Sequence, residues 1–121
     1  MRLERILINS DTTIKKAITT LDETGKQILI VVDHNKKLIG VITDGDIRRW
    51  ILKSGDLSKQ VNLVMNKQPL YIMNTELNYA KNIMQEKVLQ ALPVVDSKKM
   101  VVDVIFWNEE YNEKLNIVPD I

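Results

Sequence analysis

The chain has 121 residues, 45% of them hydrophobic and 27% charged, and a formal net charge of +1 at pH 7. This suits a compact globular fold with a core of its own and leaves no basic excess to hold a nucleic-acid backbone. With no cysteine and a single histidine, disulfides, thiolate nucleophiles, metal centres of the usual zinc type and much hydrolytic and redox chemistry are excluded. No apolar run approaches the ~20 residues that span a bilayer. The opening "MRLERILINS" also lacks the apolar core of a secretory signal. The expectation is a cytoplasmic chain with neither membrane nor nucleic acid as partner.

In chain order, "RILI" at 5–8 is an apolar run that predicts a short strand at the margin of a sheet. Thr12 or Thr13 then caps a helix whose Ile14, Ala17, Ile18 and Leu21 form one buried stripe. "ILIVVD" and "KLIGVIT" follow, joined by the polar "HNKK", and predict a hairpin of two largely buried strands. Asp46 is placed to cap a helix with Ile47, Trp50 and Ile51 on one face, ended by Gly55. Residues 58–67 read as a linker. Beyond it "PLYI" at 69–72 predicts a strand, Thr75 the cap of a helix carrying Leu77, Ala80 and Met84, and "ALPVVD" with "MVVDVIF" a second hairpin. A more polar helix is expected from Glu109 to Leu115, then a tail at 116–121.

The order repeats because the sequence repeats. Sliding the chain by 63 residues lays "QILIVVDHNKKLIGVI" on "QALPVVDSKKMVVDVI" without a gap, and eleven residues recur identically over 12–42, among them Thr12/Thr75, Ala17/Ala80, Glu23/Glu86 and Asp33/Asp96. The chain is a duplicated β-α-β-β-α unit of the α/β (α+β) class, with copies at 1–57 and 68–115. Two copies are too few for an open array, so the halves are expected to pack on each other.

Chemistry concentrates in "GVITDGDIRR", residues 40–49. Thr43 ends a strand and Asp46 begins a helix, which sets a hydroxyl and a carboxylate beside free helix N–H groups. A carboxylate accepts hydrogen bonds and cannot donate them, so Asp46 suits a vicinal diol such as a ribose. Arg49, one helical turn on, is the better placed of the two arginines for a phosphate, and Asp44 belongs to the same turn. The backbone around Ile8 and from Leu29 to Val31 is expected to offer edge-strand N–H and C=O groups to a base. The competing reading makes Asp46 a helix cap, Gly40 a point of close strand packing, and the arginines solvated or paired with Asp44 or Asp56.

A tandem β-α-β-β-α unit with "GVITDGDIRR" in its first copy, "VMNKQPLYI" between copies and "ALPVVD" in the second resembles the CBS domain pair over nearly the whole chain. More narrowly, "TDGDIRR" followed by Gly55 resembles pairs attached to sugar-phosphate isomerases and to sugar-nucleotide nucleotidyltransferases. The resemblance implies repeats packed about a pseudo-two-fold axis, clefts for adenine nucleotides such as AMP, ADP or ATP, and regulation in place of catalysis. It also implies a homodimer and a catalytic domain of the nucleotidyltransferase type beyond the tail. Gly40, Thr43 and Asp46 match the family's pattern of a glycine, two apolar residues, Thr or Ser, two spacers and Asp.

Copy two departs from the pattern. Gly40, Thr43, Asp46 and Arg49 become Asp103, Phe106, Glu109 and Asn112, and Asp44 becomes Trp107. Phe106 and Trp107 either fill that cleft or stack on a base. His34 reads as a surface residue of the hairpin loop; Met65, Met73, Met84 and Met100 read as packing residues. Glu109 and Glu110 diverge by about 100° on a helix and make no facing acid–base pair. A nucleotide-sensing regulatory module is the leading reading. A dimerisation module without ligand is the alternative, and a stand-alone enzyme is disfavoured for want of a nucleophile and base.

Overall fold

The computed structural model describes residues 3–107. A 3-10 turn, Leu3–Ile6, leads into strand β1, Leu7–Asn9. The strand expected at 5–8 therefore begins two residues later and ends one residue later. Helix α1, Ile14–Thr24, begins at Thr13, whose Oγ1 accepts the Lys16 N–H at 3.1 Å. Of the two candidate caps, Thr13 takes the role. The helix buries Ile14, Ala17 and Leu21 and ends at Gly25, whose φ of 67° a residue without a side chain adopts at no steric cost. Strands β2, Ile28–Val32, and β3, Leu38–Thr43, form the antiparallel hairpin, and β1 adds in parallel to β2. The sheet order is β1-β2-β3, so β2 is the central strand. Helix α2, Asp44–Lys53, follows β3 directly.

The stretch after α2 is stitched to this first unit, which spans Met1–Pro69. The first amides of α1 have no partner within the helix, and two of them, on Ile14 and Lys15, donate to the Lys59 and Leu57 carbonyls at 2.8 and 2.9 Å. Val61 N–H donates to the Thr12 carbonyl at 2.8 Å, and Val41 and Asn66 exchange backbone bonds of 3.1 and 2.8 Å. That last exchange gives Gly40 its structural reason. A Cβ there would stand 2.8 Å from the Asn66 carbonyl oxygen and 2.8 Å from the Met65 sulfur.

The second unit, Leu70–Ile121, repeats the plan: β4 (Ile72–Met73), α3 (Ala80–Lys87), β5 (Ala91–Val95) and β6 (Val101–Phe106), in the order β4-β5-β6. The hairpins share a register. Ile28 faces Thr43 as Ala91 faces Phe106, and the irregularity at Val31/Val32 recurs at Val94/Val95. Both loops close on an aspartate. Asp33 Oδ1 accepts the amides of Asn35 and Lys37 at 2.8 and 2.9 Å, as Asp96 Oδ1 accepts those of Lys98 and Met100 at 2.9 and 3.0 Å. The Lys37 amide, the larger influence, and the Asn35 amide hold the Asp33 carboxyl below its usual pKa. This contribution to stability is complete above the usual carboxylate range and is lost as pH falls through the depressed value.

Before the hairpin the copies diverge. Thr75 does not cap a helix; it lies within a 3-10 segment, Asn74–Tyr79, and Glu76 instead accepts the Met73 amide at 2.9 Å. The helix that follows has 8 residues against 11 in α1. Its end falls on Val88, the counterpart of Gly25, with a φ of 54°, a left-handed conformation that crowds a β-branched residue. The helix expected at Glu109–Leu115 and the tail at 116–121 lie outside the described residues.

Two substitutions separate these backbone constraints. Gly40→Ala is expected to destabilise by about 1–3 kcal/mol, because a methyl must push back a carbonyl. Val88→Gly is expected to stabilise by about 1 kcal/mol by relieving the left-handed strain. Urea denaturation of each variant against the parent measures both.

Candidate functional site

The last residue of β3 sets the site. Thr43 is extended, with φ −118° and ψ 167°, and is itself the N-cap of α2. The cap expected at Asp46 thus lies three residues earlier, and Asp46 occupies the third helical position. Each residue caps the other. Thr43 Oγ1 accepts the Asp46 N–H at 3.3 Å, while Asp46 Oδ2 accepts the Thr43 N–H at 2.9 Å and its hydroxyl proton at 3.0 Å. This is a capping box with aspartate in the place more often held by glutamate or glutamine, and the helix N-terminus favours its negative charge.

The other carboxylate oxygen faces outward. Asp46 Oδ1 accepts from Arg49 Nη2 at 2.8 Å, with the Asp46 side chain 18% exposed and that of Arg49 71%. The arginine partner is therefore Asp46 and neither Asp44 nor Asp56. Asp56 instead accepts from Ser58 Oγ at 2.6 Å, and the Ser58 hydroxyl and amide lower its carboxyl pKa. The guanidinium folds back over Gly45, where a Cβ would come within 3.2 Å of Nη1. Of the four acceptor directions of the Asp46 carboxylate, three are occupied and one on Oδ1 is open.

The structure brings Thr43, Asp46 and Arg49 into one bonded set. Asp44 begins the same helix; its amide donates to the Gln27 carbonyl at 3.2 Å. It also lines a cleft of about 450 Å³ between α1 and α2 with Ile18, Asp22 and Lys26. Leu29 and Val31 are wholly buried and belong to the central strand; Val31 is paired with Ile8 on one side and Gly40 on the other, whereas Leu29 is paired with Ile42 of β3 and lies before the stretch that β1 covers. The expectation of edge-strand groups is corrected at Val31, which is paired on both sides; Ile8 lies on the edge strand β1, and Leu29 lies on the central strand beyond the end of its pairing with β1. Ile8 is level with Val31 and Gly40, whereas Thr43 is level with Ile28. Two strands across and three residues along put Ile8 roughly 14 Å from Thr43. The groups read as suited to a ribose and a phosphate are thus assembled; of those read as facing a base, Ile8 stands apart from them, while Leu29, opposite Ile42, is one residue from the Ile28–Thr43 pair.

Two features escaped the sequence reading. The spacing of Thr43 and Asp46 carries the capping-box pattern, a signal that was present. Gly45 as the notch under the guanidinium had none.

In the second unit the same turn survives with other side chains. Trp107 N–H donates to the Gln90 carbonyl at 2.9 Å, as Asp44 N–H does to that of Gln27. Phe106, in the place of Thr43, is buried. His34 is exposed in the first hairpin loop. Among the described residues no group of three His, Cys, Asp or Glu side chains could hold a metal ion, and no helix is long and apolar enough to cross a membrane.

Comparison with known proteins agrees with this architecture. Residues 1–53 match the CBS domain family. Arabinose 5-phosphate isomerase GutQ of Escherichia coli is 30% identical over 100 residues, covering 82% of this chain and 31% of the isomerase. GutQ of Salmonella typhi is 29% identical over 101 residues, covering 83% and 32%. The chain spans about a third of the length of the curated relatives it matches. The named relatives are isomerases, in line with the sugar-phosphate isomerase of the two expected contexts; they give no support to the nucleotidyltransferase. Among solved structures, CBSX2 in complex with AMP superposes with a TM-score of 0.75 at 26% identity, covering 92% of this chain and 87% of that one. A CBS domain protein of Pyrobaculum aerophilum complexed with AMP gives a TM-score of 0.75 at 18% identity, covering 93% and 91%. A CBS domain pair in complex with 5′-methylthioadenosine and S-adenosyl-L-methionine gives 0.75 at 24%, covering 92% and 86%.

The bonded set makes a stability prediction independent of any ligand. Asp46→Ala removes half of the capping box and is expected to cost about 1 kcal/mol. Arg49→Ala breaks only a solvent-exposed pair and is expected to cost less than about 0.5 kcal/mol. Thermal or urea unfolding compares them.

Proposed function

Since the chain belongs to the CBS domain family and is a tandem pair, we propose that it is a regulatory module that binds an adenine nucleotide at Thr43 and Asp46 of its first repeat. The observation that carries this reading is the Asp46 carboxylate. One oxygen is fixed by Thr43 and the other retains an open acceptor direction beside a guanidinium. A ribose hydroxyl donates to the open direction and a phosphate pairs with Arg49. The AMP complexes of structural neighbours support an adenine nucleotide as the ligand class. With the repeats taken as 1–57 and 68–115 about a linker at 58–67, the first repeat holds the ligand and the module biases an attached catalytic domain of the sugar-phosphate isomerase kind. That bias can be no larger than the ligand's differential affinity for the domain's two states.

The pair also forms a homodimer in this reading. Ile51, Leu52 and Leu63 are 48%, 82% and 61% exposed, apolar surface that a second copy would cover. Were no ligand to bind, dimerisation would be the module's remaining role.

Calorimetric titration with AMP, ADP and ATP tests the ligand. At least one is expected to bind, and Asp46→Ala to weaken it by about 1.5–3 kcal/mol, more than the cap is worth to the fold. No binding of any of the three by the parent chain would overturn the nucleotide reading. Light scattering should give twice the chain mass at micromolar concentration; a monomer would contradict the dimer.

A further inference from the structure

We propose that Arg49 makes this site select adenosine ligands that carry a phosphate over those that do not, by occupying Asp46 until a phosphate draws it away. The inference rests on the nucleotide reading above and adds to it the choice between two ligand classes. Asp46 Oδ2 takes both a backbone amide and a hydroxyl proton from Thr43, so its two acceptor directions are spent on the helix cap. Any ribose diol must use Oδ1, where Nη2 of Arg49 sits at 2.8 Å. With the arginine in place one hydroxyl can bind; with it gone, two can.

The consequence differs between ligands. A neutral nucleoside that displaces Arg49 leaves the guanidinium without an anion, and one that does not displace it forgoes a hydrogen bond to a charged acceptor. A nucleotide returns an anion to the same guanidinium, and phosphate matches its fork in a two-bond geometry. The arginine is free to make that exchange: its side chain is 71% exposed and folds back over Gly45, which offers no side chain to hold it. Selection thus follows from one carboxylate oxygen with two claimants.

The test titrates the whole chain with AMP and with adenosine, which differ only in the phosphate, for the parent, Arg49→Gln and Arg49→Lys. The parent should bind AMP at least about tenfold more tightly than adenosine, with the margin shrinking as salt rises. Arg49→Gln should lose about tenfold toward AMP, keep or slightly improve its affinity for adenosine, and show no salt dependence in their ratio. Arg49→Lys, a point charge without the fork, should keep part of the preference. A melting temperature close to that of the parent checks that each variant is folded. If AMP binds but the ratio is near one in the parent, or unchanged in Arg49→Gln, this inference is overturned and the nucleotide reading stands. If neither ligand binds the parent, this inference is overturned, and the nucleotide reading falls with it when ADP and ATP also fail to bind.

Discussion

The reciprocal hydrogen bonds between Thr43 and Asp46 hold the candidate site together. Thr43 is fixed by its place in β3, opposite Ile28, so its hydroxyl and amide are aimed before the helix begins. Asp46 then has one low-energy way to satisfy the start of α2, and taking it commits Oδ2 to Thr43 and turns Oδ1 outward. Arg49 reaches Oδ1 because it lies one helical turn further on and because Gly45 leaves room for it. Loss of the cap would unfasten Asp46 and Arg49 and leave Thr43 in its strand; loss of the arginine would leave the carboxylate where it is.

The two repeats show which parts of this arrangement the backbone enforces. Hairpin register, the irregularity after the fourth residue of the central strand, the aspartate-closed loop and the amide-to-carbonyl bond at the start of the next turn occur in both units. They are main-chain bonds or bonds to the main chain, and they tolerate wide change in the surrounding side chains. The ligand chemistry has no such protection. Replacing Thr43 by Phe106 exchanges a hydroxyl for a buried ring while the strand beneath keeps its register. One copy can therefore specialise for a ligand and the other for packing without disturbing the shared fold.

Much of this was legible in the sequence. Apolar residues at helical spacing gave α1 and α2, although in α2 only Ile47 of Ile47, Trp50 and Ile51 is buried; apolar runs gave the hairpins, and Asp33 with Asp96 marked matching loops. The central position of β2 was not legible, because a wholly apolar run looks alike in a central and an edge strand; Leu29 and Val31 were for that reason read as facing a base. Thr43 and Asp46 both have capping chemistry, and only the extended backbone of Thr43 decides which one caps. The weak start of α3 turns on one residue: Ile8 pairs with Val31 but Ile72 with Val94, so the second copy is shorter by one position ahead of its helix. "TDGDIRR" fitted two enzyme contexts equally, and nothing in seven residues could choose between them.

Backbone amide chemical shifts recorded while AMP is added test the central claim most directly, since they report where a ligand sits as well as whether it binds. The account expects saturable shifts at Thr43, Asp46 and the first turn of α2, with Phe106 and Trp107 of the second repeat unmoved. Shifts centred on Phe106 and Trp107, or none at millimolar AMP, would contradict it.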